Sequence, residues 1–322
     1  MKPAVVIVGS YVQDQAWLVD RFSRVGETQR AHGFNTGPGG KGFNQAIACA
    51  RQGVATSFVG AIGDDRFGAA AQDFAAAEHL PCRWLIRHDQ PTAASSIVVN
   101  AQGENMIAVN YAANEHLDPA FVNAQEDLFA DAKILLLQLE NNLDAVAAAL
   151  DLGKRHGLTC VLNPAPVHAQ LSASTLRGAD IITPNETEFS LLLERFADEQ
   201  IDPVTLADRA DADLHALARK LGVATVVITL GARGCFVVHG EERRGDTEAY
   251  YRLPPETVSA VDTTGAGDAF SGALVAALVR FAGQPFRQAA MHANRAAAMS
   301  TETVGTAPAM PTFDAVAKRF GR

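Results

Sequence analysis

Val261-Asp262-Thr263-Thr264-Gly265-Ala266-Gly267-Asp268-Ala269-Phe270 opens an apolar helical pattern that continues through Ala273, Leu274, Ala277 and Leu278. A flexible Thr-Gly-Ala-Gly turn running into a helix gathers free backbone N–H groups at the positive end of a helix dipole. Such a turn binds anions, and its glycines let the anion approach the backbone. Asp268 is a carboxylate placed where negative charge would be held. A hydroxyl that loses its proton to Asp268 while attacking a phosphate bound by those N–H groups accounts for both features. A glycine turn with a helix-start Asp is the plain alternative.

Upstream, the chain alternates. Ala4–Val8 is a continuous apolar strand ended by Gly9. Helices are expected over Lys41–Gln52 and Phe67–Glu78, with a strand over Thr56–Ile62 between them. Strands at Ile134–Leu137, Cys160–Leu162, Ile181–Ile182, Val226–Leu230 and Cys235–Val238 alternate with helices at Leu143–Lys154, after Asn185 and at Leu214–Leu221; three helices close the chain. This order implies an α/β fold with a mostly parallel sheet covered on both faces, and ligands at the carboxyl ends of its strands. Residues 11–36 and a hairpin at 93–112 fall outside the alternation and are expected to form a small β lid. The acidic stretch Arg195–Asp213 reads as a solvated connection.

A second glycine-rich stretch, Gly37-Pro38-Gly39-Gly40-Lys41-Gly42-Phe43-Asn44-Gln45, precedes the first helix. It is no Walker A loop, because Gly42 stands where Ser or Thr is required. The first strand lacks a dinucleotide fingerprint, which disfavours a dehydrogenase. The stretch is either a tight turn or a close-approach site in which the Asn44 amide meets a polyol. Glu140, Asn163 and Asn185 follow three successive strands and face one rim. Asn185 and Glu188 share a helix face, as a cap or as a water-mediated Mg²⁺ site. Val227–Gly234 reads as a strand and turn that cover a nucleotide or merely connect strands.

Composition narrows the partners. The 322 residues are 48% apolar, and 27 Lys+Arg against 36 Asp+Glu give a net charge of −9. Nucleic-acid and anionic-membrane surfaces are disfavoured, so an anionic ligand must be held locally. Cys49, Cys82, Cys160 and Cys235 show no pairing or metal spacing and are read as reduced. With neither a signal peptide nor an apolar run near the ~20 residues of a bilayer span, a cytoplasmic protein is expected.

Taken together, these motifs resemble the ribokinase-like (PfkB) carbohydrate-kinase family. Gly39–Ala46 is similar to its N-terminal signature and Asp262–Phe270 to its C-terminal one. Gly103-Glu104-Asn105, Gln138-Leu139-Glu140, Leu162–Pro166 and Ile181–Glu188 are most similar to segments of its ribokinase branch. The resemblance covers essentially residues 1–322 and implies one three-layer kinase domain with the lid at 11–36 and 93–112. It implies an ATP-dependent transfer to a sugar hydroxyl, D-ribose leading, with Asp268 as base and Gly265, Ala266 and Gly267 as anion hole. Asp14, Gly40, Lys41, Asn44 and Glu140 would hold the sugar. Asn185, Thr229, Gly231, Gly234 and Asn294 would serve ATP, and Glu188, with Asn185, Mg²⁺. Asp262 and Thr264, with backbone around Ser300, Thr303 and Gly305, would bind K⁺. The lid would also pair two copies into a homodimer.

Two positions depart from that pattern. Val12 stands where ribokinases usually carry a sugar-binding Asn, a loss that Gln13 is expected to offset. Ala309 stands near a usual cation-site Ser. Fructose, a deoxy-sugar acid or a nucleoside are therefore the alternative substrates, and a non-catalytic sugar-binding regulator is the alternative class.

Overall fold

The computed structural model describes residues 2–321. Nine strands form the main sheet: β1 (Val5–Val8), β4 (Thr56–Gly63), β5 (Cys82–Arg87), β8 (Ile134–Leu137), β9 (Thr159–Leu162), β10 (Ile181–Ile182), β11 (Thr225–Thr229), β12 (Cys235–His239) and β13 (Tyr250–Leu253). Their spatial order is β13-β12-β11-β10-β9-β8-β1-β4-β5, parallel except for the β11–β12 and β12–β13 pairs. β1 lies inside the sheet between β8 and β4, and all four of its residues are fully buried. Its run is continuous rather than alternating because both faces are covered. Val5 and Ile7 pack into one core and Val6 and Val8 into the other.

The first core is closed by the helices Lys41–Arg51, Ala266–Arg280 and Phe286–Ser300, the second by Leu143–Arg155, Glu186–Ala197 and Asp211–Lys220. The expected three layers are therefore present. β5 and β13 were not read from the sequence. Cys82–Arg87 is a half-exposed edge strand, and Tyr250–Leu253 pairs only with β12, so neither carries a buried apolar run. The 195–213 stretch is, as expected, a mostly exposed connection, which links the helices Glu186–Ala197 and Asp211–Lys220 and contains a short 3-10 turn over Pro203–Asp208 anchored by fully buried Leu206.

A second, four-stranded sheet has the order β3 (Gly33–Gly39), β2 (Val12–Leu18), β6 (Ala94–Val99), β7 (Asn105–Asn110). Its strands lie in the two stretches expected to form a small β lid, with one extension. Gly37-Pro38-Gly39 is not a tight turn but the end of β3, paired against Val12, Gln13 and Asp14. The helix Lys41–Arg51 therefore starts directly beneath the lid. Gly40, at φ +86°, makes the corner, and a Cβ there would press within 2.6 Å of the Val12 backbone nitrogen.

The helices Lys41–Arg51 and Ala266–Arg280 cross in close contact at Gly272, where an added Cβ would stand 2.6 Å from the Ala48 Cβ. Gly272→Ala should force them apart and cost about 1–3 kcal/mol by overpacking. Thermal melts should show the loss, and kcat should fall beyond the lost folded fraction because Asn44 and Gln45 ride on the displaced helix.

Candidate active site

The first turn of the Ala266–Arg280 helix starts from Gly265 in left-handed conformation, at φ +79°. The N–H groups of Gly265, Gly267 and Asp268 meet no backbone acceptor among the described residues, as an anion hole requires. Ala266 is a correction: its N–H donates to the Thr263 carbonyl at 3.2 Å and closes the turn. Asp268 is buried, 6% exposed, and forms no salt bridge among the described residues, although Lys41 lines the same cavity. Amides hold it instead: Asn44 donates to Oδ2 and Gln45 to Oδ1, both at 2.9 Å. Gln45 also donates to Asn163 and accepts from Gln138, so its orientation is fixed. The Asn44 amide oxygen is buried with no hydrogen-bond partner among the described residues, an unspent acceptor beside Asp268.

A cavity of about 130 Å³ opens in front of these groups, lined by Lys41, Asn163, Thr183, Asn185, Glu188, Thr229, Gly265, Gly267 and Asp268. A larger one of about 470 Å³ lies away from them, between Thr187–Glu194 and Gln200–Pro203, and gathers none of these groups. β10 and β11 end at the smaller cavity, where Asn185 and Thr229 bridge. Asn185 and Glu188 form a reciprocal capping box, so the cap reading of that pair holds. Glu188 Oε2 takes the Asn185 N–H at 2.9 Å, so Oε1 is the oxygen that a hydrated cation would use. Among the described residues no three His, Cys, Asp or Glu side chains gather as a metal cage. One carboxylate with water and phosphate oxygens suits Mg²⁺.

The residues expected to hold the sugar converge from the side of the four-stranded sheet. Glu140 follows β8, and its Oε2 accepts the Ser10 hydroxyl at 2.6 Å and the Lys41 N–H at 2.8 Å. Burial raises its pKa, against the Lys41 charge and these hydrogen bonds. Glu188 is raised mainly by burial as well. For Lys41, burial opposes the charge, but Asp268, Glu140 and Glu188 outweigh it and lift its pKa. Lys41 thus lies between Glu140 and the smaller cavity that Glu188 and Asp268 line. Asp14, on β2, accepts the Ser95 hydroxyl at 2.6 Å, and a side chain at Gly39 would collide with its carboxylate.

Val12 shares the Asp14 face of β2 and is 3% exposed. Gln13 lies on the opposite face. Its amide is consumed by the Tyr11 hydroxyl, Thr36 and the Gly37 carbonyl, so it does not stand in for the missing Asn.

Three expected nucleotide residues lie outside the cavity. Gly231 and Gly234 shape the β11–β12 turn, and Gly234 is crowded by the Leu253 carbonyl. Asn294 donates to the Pro254 carbonyl at 2.9 Å and secures that same segment. Asp262 joins two loops, accepting the N–H groups of Thr264 at 2.9 Å and Gly305 at 3.0 Å. The Ser300 hydroxyl turns back to Ala297, and the Ser300 carbonyl takes the Thr303 N–H at 3.3 Å. The donors there are one carboxylate and backbone oxygens, a hard set that fits a monovalent cation. Asn163 was read at its strand end and Gln45 within the glycine-rich stretch, but their partners were not, and Ser10 and Tyr111 were assigned no role, since the contacts span 29 to 223 residues.

The family model described as pfkB family carbohydrate kinase matches residues 2–313. The chain belongs to that family. As a member it is an ATP-dependent sugar kinase. It is 36% identical to the ribokinase of Haemophilus influenzae, over 97% of this chain and 96% of that one. Its fold superposes on the ribokinase of Giardia lamblia with a TM-score of 0.87 at 29% identity, covering 99% and 98% of the two chains. For the ribokinase of Arabidopsis thaliana, complexed with ribose and ATP, the TM-score is 0.82 at 27% identity, over 99% and 98%. No helix among the described residues is long and apolar enough to cross a membrane.

Burial pushes the Asp14 pKa from 3.8 up to about 6, with the charges of Glu140 and Asp268 adding to it and Ser95 and Thr306 opposing. Between those two values the folded chain holds a proton that the unfolded chain releases. This group's contribution is therefore fullest below pH 3.8 and is lost as pH rises through 6. Asp14→Asn keeps an acceptor for Ser95. It should raise Tm by roughly 2–4 °C at pH 8, with no gain at pH 3, while the sugar KM rises. Melts at both pH values with sugar kinetics check this.

Proposed function

We propose that the chain phosphorylates D-ribose to ribose 5-phosphate with ATP, using Asp268 as general base. The observation that carries the base assignment is the pair of amide donors from Asn44 and Gln45 on a buried carboxylate beside free helix N–H groups. In this reading Asp268 removes the proton of the sugar hydroxyl as its oxygen attacks the γ-phosphorus. The N–H groups of Gly265 and Gly267 meet charge on the transferring phosphoryl, and the Lys41 ammonium faces the same cavity. ADP and the sugar phosphate leave, and Asp268 returns its proton to water. Asp14, Asn44 and Glu140 orient the sugar.

Glu188, with Asn185 through water, would hold Mg²⁺, which supplies neutralisation of phosphate charge. Asp262 and the surrounding carbonyls would hold K⁺ and fix the Thr263–Gly267 loop. Phe34, Met106, Ile107 and Val109 are 40–59% exposed on the lid, apolar surface that a second copy of the chain would cover in a homodimer. A cytoplasmic location accords with four unpaired cysteines. A second reading, a sugar lacking one hydroxyl, is favoured by buried Val12 on the Asp14 face. ADP release across D-ribose, 2-deoxy-D-ribose, D-fructose and nucleosides, in K⁺ and in Na⁺, tests both readings. No sugar-dependent release would sink them together, and equal rates in the two salts would remove the K⁺ site.

Asp268→Asn keeps size and one acceptor. Its kcat should fall by at least about 10²-fold with a small change in sugar KM. Near-normal turnover would reassign the base.

Glu188→Gln keeps the capping box, since Gln serves at that position. The Mg²⁺ concentration for half-maximal rate should rise more than the sugar KM does. Unchanged Mg²⁺ dependence would leave Glu188 a helix cap alone.

A further inference from the structure

Glu140 is satisfied on one side only. Its Oε2 is taken by Ser10 and by the Lys41 N–H, whereas Oε1 faces the Tyr111 hydroxyl at 3.5 Å. An O–H···O bond forms at about 2.5–3.0 Å, so this pair is close without being properly joined. A third oxygen can stand about 2.8 Å from both, closing a triangle across the 3.5 Å gap. Tyr111 brings a donor and Oε1 an acceptor, the two roles that a single sugar hydroxyl answers at once. Burial, then the Glu140 charge, push the Tyr111 phenol up to about 12, so it is protonated at neutral pH.

The backbone holds Tyr111 in place. It follows β7 at the exit of the lid, and Ala112 after it takes a φ of +40°, with its N–H held by the Asn110 side chain. Its carbonyl accepts the Asn114 N–H at 2.9 Å. The Asn114 side chain in turn grips both the N–H and the carbonyl of Tyr11, the residue before Val12. The turn bearing Tyr111 is thereby locked to the start of the lid strand that bears Val12 and Asp14.

We propose that Tyr111 is a sugar-binding, specificity-determining residue whose hydroxyl donates to the same substrate hydroxyl that donates to Glu140 Oε1. This rests on the reading that Glu140 belongs to the sugar site. Tyr111 then supplies a polar contact on a lid whose Val12 offers none, and its ring limits the space beside that hydroxyl.

Tyr111→Phe keeps the ring and removes the donor. With D-ribose, 2-deoxy-D-ribose and D-fructose as probes, the sugar KM should rise roughly tenfold for those that carry the contacted hydroxyl. The KM for ATP and the Tm should stay unchanged, and kcat should change far less than the sugar KM. A deoxy probe lacking that hydroxyl should show no penalty. Glu140→Ala in the same assay separates the two claims. If it raises the sugar KM and Tyr111→Phe does not, Tyr111 only packs and the proposal falls. If neither variant moves it, the sugar-site reading of Glu140 falls and takes the proposal with it.

Discussion

Two consecutive amides of one helix hold one carboxylate of another, and the rest of the site depends on that contact. Asn44 and Gln45 donate to the two oxygens of Asp268, which lies more than 220 residues further along the chain. Amide donors keep a buried carboxylate solvated without placing a cation against it, so lone pairs remain for a substrate proton. The contact requires both helix starts to meet at one point. Gly272 permits it by leaving room for Gln45 and Ala48, and Gly40 sets the corner from which the first of the two helices departs.

Around this contact the chain accumulates charge that a stability-optimised core would avoid. Asp14, Glu140 and Glu188 all have raised pKa values, with burial the leading cause. Lys41 lies within reach of Glu140, Glu188 and Asp268 and is held charged by them. Such a cluster is costly in the empty protein and favours a ligand that brings hydroxyls to the carboxylates and phosphate oxygens to the cation. The lid serves the same end. It carries Asp14 and Val12 on one strand and Tyr111 at its exit, so in the proposed reading one element positions several sugar contacts together.

The layers were legible because their signals are local. Val5–Val8, Ile134–Leu137 and Val226–Ile228 are apolar on both faces, as a buried parallel strand must be. The glycine-rich helix starts at Gly39–Lys41 and Gly265–Gly267 were legible for the same reason, since a helix N-terminus announces itself within one turn. β5 and β13 escaped notice because they are edge strands with mixed burial, where neighbours rather than composition decide. The Gly37-Pro38-Gly39 strand escaped because its pairing with β2 overrides the turn chemistry of its residues.

By itself, the sequence determined the α/β order and the two glycine-rich helix starts and marked Asp268, Asn44 and Glu140 as candidate groups, because each is written in neighbouring residues. Only the tertiary structure decided which groups meet. It gave Gln45 to Asp268 and Ser10 to Glu140, turned Gln13 to the face of β2 opposite Asp14, closed the Ala266 amide into its own turn and brought Tyr111 against Glu140. Those outcomes depend on the side of a strand and on contacts up to 223 residues apart. Local pattern carries no information at that range, because the register of packed layers alone fixes it.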